Sequence, residues 1–129
     1  MHAPDSTAPP PPIPRGAVVV PWLLALFSTL AAFACHARFG APGDHPALLL
    51  GLGCVVAFAV GAMRTTSAFV LGFTALAGFP IEATIDLLWH GGHSLLPIEF
   101  GLYAVYGLLG VLAARLGRAA GGAVRSARG

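Results

Sequence analysis

The chain has 129 residues, 57% of them hydrophobic and only 9% charged. An ordinary soluble domain carries about 25% charged residues, so a soluble globular fold is excluded for want of polar surface. The net charge of +2 rests on seven arginines without a single lysine, and no basic stretch interleaved with aromatics points to nucleic acid.

What remains is an all-α integral membrane protein, and the elements follow in order. Residues 1–15 hold six of the eleven prolines and read as a disordered, polyproline-like tail. Residues 16–35 are uncharged, and at about 1.5 Å per residue they are long enough to cross a hydrocarbon core of about 30 Å. Pro21 falls in the first turn, where its missing N–H costs little. Ala32-Phe33-Ala34 fits a signal-peptide cleavage pattern, but the apolar run exceeds the usual length of such a segment, and an uncleaved first span is expected. Cys35 and Cys54 form neither a CxxC nor a zinc spacing and read as small packing residues.

The second span covers 46–63, between His45 and Arg64. Within it Gly53, Ala57 and Gly61 recur every fourth residue, a small-residue stripe that lets another helix approach closely. The third span is expected over 66–89 and the fourth over 97–114, giving a four-transmembrane-helix domain over 16–115. A flexible Arg/Gly tail follows over 116–129. With four spans both termini share one side, and Arg15, Arg64, Arg115, Arg118, Arg125 and Arg128 fall there together, leaving Arg38 opposite. The positive-inside rule then makes the termini cytoplasmic in a bacterial-type inner membrane and turns the loops 35–45 and 90–96 outward.

The ionisable groups concentrate on that outward side. The stretch 79–100 contains Glu82, Asp86, His90, His93 and Glu99, and the other outward loop adds His36, Arg38, Asp44 and His45. Counted along helices from Arg64 and Arg115, Glu82 and Glu99 lie at similar depth, roughly 27 and 24 Å from those arginines. Asp86 and His90 follow Glu82 at i+4 and i+8 and share its face if the helix continues. Imidazole and carboxylate are ordinary ligands for divalent transition metals, so Glu82, Asp86, His90, His93 and Glu99 are the primary metal candidates, with His36, Asp44 and His45 secondary. An alternative account is interfacial: charge is cheaper at the water boundary, and Pro80 and Pro97 start helical segments whose first turns favour an acid. Tyr103 and Tyr106 either line the same wall as Glu99 or join Trp89 in an interfacial aromatic belt.

Two partial resemblances concern these residues. Gly43-Asp44-His45, the later His90-Gly91-Gly92-His93 and Glu99 loosely resemble the order of His/Asp motifs in nickel/cobalt permeases, without the fuller helical motif or the larger number of spans. Pro80-Ile81-Glu82 near the end of the third span and Glu99 opening the fourth look like the layout of VanZ-like membrane proteins, without the Gln, Arg and Asn of that pattern.

The leading expectation is binding or passage of a divalent transition metal or of protons through the outward cluster. The alternative is a non-catalytic accessory or structural subunit of a larger membrane complex. No Gly-rich phosphate loop or nucleophile elbow supports an enzyme. Membrane lipids and a homo-oligomer or larger complex are the expected partners. Reporter fusions at Gly129 and Arg64 are expected to read cytoplasmic, and fusions at Gly40 and Gly92 external; a cytoplasmic signal from Gly92 would overturn the arrangement.

Overall fold

The computed structural model describes Pro12 and residues 15–39, 46–91 and 96–128. All its elements are helices: α1 (Arg15–Phe39), α2 (Pro46–Met63), α3 (Ala68–Ala75), α4 (Gly78–His90) and α5 (Leu96–Arg128). Three segments, Val18–Phe39, Pro46–Met63 and Pro97–Arg128, are long and apolar enough to cross a membrane. The pair α3–α4, bent by 43°, makes a fourth if it is one broken span. The chain is a helical membrane protein. Large side chains such as Trp22, Val55, Leu88 and Trp89 project outward, while the core is built from small and aliphatic residues.

The third hydrophobic segment departs most from expectation: the helix over 66–89 is two helices. Pro80 supplies the reason. Its ring cannot coexist with a regular bond to the carbonyl four residues back, and it has no N–H to offer that carbonyl. The break falls at Leu76 and Ala77, and its groups are satisfied locally. Ala77 N donates to Thr74 O at 3.3 Å, Phe79 N to Leu76 O at 3.3 Å and Ile81 N to Ala77 O at 3.2 Å. Thr74 Oγ1 also donates back to Val70 O at 2.7 Å, a bond that bends helices. The remaining N–H, on Gly78, donates to Ser28 Oγ of α1 at 2.9 Å. In an apolar setting an unsatisfied backbone group costs several kcal/mol, so this hydroxyl is what permits the break.

Small residues set the spacing of the rest. Gly53, Ala57 and Gly61 are buried along α2, and Gly61 lies against the backbone of Ala114 on α5. Gly72 of α3 meets Gly110 and Val111 of α5 so closely that a Cβ on Gly72 would collide with Val111 N. One cluster joins Leu24, Ala57, Ala68, Leu71, Ala75 and Ala114; a second joins Ala32, Leu49, Leu76 and Phe79 at the break.

α5 is also longer than expected. The segment 116–129, read from sequence as a flexible Arg/Gly tail, is helical through Arg128. The reason is contact with the end of α2: Gly117 sits against Phe58, Gly121 sits against Ala62, and Arg125 Nη2 donates to Ala62 O at 3.1 Å. That guanidinium caps one of the carbonyls left unpaired at the C-terminus of α2. At 33 residues α5 is about 50 Å long, well beyond a hydrocarbon core of about 30 Å.

Gly72→Ala is expected to cost about 1–3 kcal/mol by forcing α3 from α5. Gly51→Ala, with nothing within 4 Å of the added methyl, is expected to be neutral or to stabilise by about 0.5–1 kcal/mol. Thermal unfolding in detergent distinguishes them; equal melting temperatures would contradict the close packing.

Candidate functional site

Ser28, Ala32 and His36 lie four residues apart and form one face of α1. That face docks on α4. A Cβ on Gly78 would collide with Ser28 O and stand 3.0 Å from Ala32 Cβ, so glycine is what lets the helices meet. One turn beyond Gly78, Glu82 is directed at α1, and its Oε1 lies 2.6 Å from His36 Nδ1. Glu82 is 6% exposed, the most enclosed ionisable residue of the described chain, whereas the His36 side chain is 51% exposed. The site is therefore a carboxyl held inside the bundle and a half-exposed imidazole at the bundle surface.

Two protonation states fit this geometry. Either the Nδ1–H of the ring donates to a carboxylate, or a protonated carboxyl donates to a bare Nδ1. Both place the same heavy atoms at the same separation, the arrangement a proton-sharing pair requires. The second oxygen, Glu82 Oε2, is buried with no hydrogen-bond partner among the described residues. An ionised carboxylate with one oxygen unpartnered among the described residues costs several kcal/mol in such surroundings unless a cation stands beside it.

The neighbours add charge and aromatic walls. Asp86, one turn along α4, interacts electrostatically with Glu82. Tyr103 of α5 lies within electrostatic reach of both Glu82 and Glu99. Its ring stacks on Phe79 with centroids 5.7 Å apart and meets Tyr106 at 6.4 Å. Tyr103 and Tyr106 thus pack against the break, unlike a pair of purely interfacial aromatics, while Trp89 is exposed at the far end of α4.

The expected metal set is brought together only in part. Glu82 meets His36, one of the secondary candidates. Asp86 is half-buried on α4, and Glu99 is half-buried in the first turn of α5. His90 is the last residue of α4, where Gly91 at φ 76° ends the helix; the His90 side chain lies outside the described set. Asp44, His45 and His93 lie outside the described residues. Among the described residues no three of His, Cys, Asp and Glu gather where they could hold a metal ion. The sequence reading missed Ser28. Its signal was the four-residue spacing to Ala32 and His36, but a serine in an apolar helix more often bonds its own backbone.

Comparison with known proteins gives no matching family model, no matching curated protein and no matching solved structure.

Replacing His36 with Ala is expected to lower stability by about 1–3 kcal/mol, because Glu82 loses its partner while staying buried. Adding Glu82→Gln to that variant should restore most of the loss, since the stranded charge is gone. A double-mutant cycle measured by thermal or denaturant unfolding reads the coupling, and additive losses would show that the pair does not interact.

Proposed function

We propose that this chain is a four-span protein of a bacterial-type inner membrane, with both termini and the Arg-rich end cytoplasmic, and that Glu82 and His36 form an outward-facing proton-binding site. The observation that carries this reading is the enclosed carboxyl bonded at 2.6 Å to a half-exposed imidazole near the end of α1. His36 takes a proton from the exterior at Nε2, and the proton on Nδ1 passes along the hydrogen bond to Glu82 Oε1, so the ring relays protons to a carboxylate that burial shields from direct exchange with water. Ionisable residues enclosed within membrane bundles ordinarily mark ion or proton sites, because their cost would otherwise be unanswered. A transition metal is the less favoured ligand, since such ions take three or four protein ligands and two meet here among the described residues.

A second reading, the non-catalytic accessory subunit, is favoured by the opposite half of the bundle. Between Glu82 and the Arg-rich end the buried side chains include Leu24, Leu71, Ala75, Leu76, Val111 and Ala114, and Ser28 is the one other buried polar residue among those described. Such a core supports proton binding at one end and gives no polar path across a single chain. Passage across the membrane would then use an interface with a second copy or a larger complex.

The test is the protein reconstituted in vesicles, with infrared difference spectra of the carboxyl band recorded across a pH titration. A protonation signal lost in Glu82→Gln and displaced in His36→Ala, with helical content unchanged, supports the site. An identical spectrum for wild type and Glu82→Gln leaves the accessory reading. Stoichiometric metal in the purified protein, lost in Glu82→Gln, would replace protons by metal as the ligand.

A further inference from the structure

The end of the bundle opposite Glu82 carries a second concentration of charge that the proton site does not use. Arg64, Arg115, Arg118, Arg125 and Arg128 stand there, on the α2–α3 turn and the last turns of α5. The described acids, Glu82, Asp86 and Glu99, lie on α4 and the first turn of α5. Among the described residues the hydrogen bonds of these guanidinium groups go to backbone carbonyls: Arg64 Nη2 donates to Arg118 O at 3.2 Å, and Arg125 Nη2 donates to Ala62 O at 3.1 Å. Those bonds position the side chains without neutralising them.

Three further features mark a notch rather than a scattered surface. Arg64 lies over α5 beside Gly122, where an added Cβ would stand 2.6 Å from Arg64 Nη2. Arg64 also adopts φ 58°, a left-handed conformation unusual for a residue other than glycine or asparagine, with its N–H closing the end of α2 on Gly61 O at 3.1 Å. Finally, Arg118 Nε and Thr65 Oγ1 are both covered and have no hydrogen-bond partner among the described residues. Covered donors beside positive charge that no described acid offsets call for an anion with several acceptor oxygens. The notch lies where α5 passes the end of α2; with the 18 residues of α2 taken as a span, that end falls at the edge of the hydrocarbon core.

We infer that Arg64, Arg118 and Arg125 form a binding site for the phosphodiester of an anionic phospholipid headgroup. Guanidinium groups grip phosphate oxygens in pairs, and the apolar flanks of α2 and α5 that lead away from the notch accept the acyl chains. The bound lipid clamps the last turns of α5 against α2.

The experiment uses the full chain in nanodiscs of phosphatidylcholine with an increasing fraction of phosphatidylglycerol, read by thermal unfolding and by native mass spectrometry of retained lipid. Wild type is expected to melt higher as phosphatidylglycerol increases and to retain it. Arg64→Gln and Arg118→Gln should each weaken retention about fivefold, the effect of one arginine on an anionic lipid. Arg38→Gln, at the opposite end, should leave retention unchanged, and Arg118→Lys should recover part of the loss. Equal retention by wild type and the Arg64/Arg118 double variant overturns the site. The same stabilisation by inorganic phosphate in pure phosphatidylcholine overturns the lipid as its source. Because Glu82→Gln retains the notch, its lipid retention separates this site from the proton site.

Discussion

A backbone break inside an apolar bundle must be satisfied by protein atoms, and most of this structure follows from how that is done. Pro80 removes one backbone hydrogen bond from the third segment and favours its interruption. The hydroxyl of Ser28 supplies the acceptor that Gly78 N–H lacks once the helix is interrupted. The same bond fixes α1 against α4, because it forms only where Gly78 permits contact with the Ser28 backbone. His36 and Glu82 are then brought together as a consequence, each farther along its helix on the face that carries the contact. A hydrogen bond that looks merely structural thus sets the chemistry.

The break is not itself a site for an anion. A helix start within a membrane protein attracts negative charge when its first N–H groups are free. Here the N–H groups of Ala77, Gly78, Phe79 and Ile81 all have acceptors, and Pro80 has none to offer. The bend instead redirects α4, so that Glu82 points into the bundle while Leu88 and Trp89 remain on the surface.

The two ends of the molecule treat charge differently. At one end a carboxyl is enclosed and, among the described residues, bonded to one imidazole. At the other, guanidinium groups that stay charged at any physiological pH bond to backbone carbonyls and keep their excess charge. The first arrangement suits a group that changes state, the second a permanent electrostatic anchor. Between them the close approach of Gly72 and Gly110 holds α3 to α5 with little polar contact, so the ends are joined by rigid packing.

The membrane class was legible in composition alone, because apolar length and scarcity of charge admit no soluble alternative. The stripe Gly53, Ala57 and Gly61 was legible as a packing face, since four-residue spacing is a local property of a helix. Helix starts and ends near Pro46, Met63, Gly91 and Pro97 were also readable from local chemistry. The break at Leu76 was not read, although Pro80 stood in view: a membrane helix tolerates proline when neighbours satisfy the freed groups, and whether they do depends on Ser28, fifty residues away. The helical state of 116–128 was hidden for the same reason, since Ala62 and Phe58 stabilise it across the chain. For the site, the sequence determined which groups could take part, through their charge and their end of the bundle. Only the tertiary structure chose His36 for Glu82, because a pair 46 residues apart is decided by where two helix faces touch.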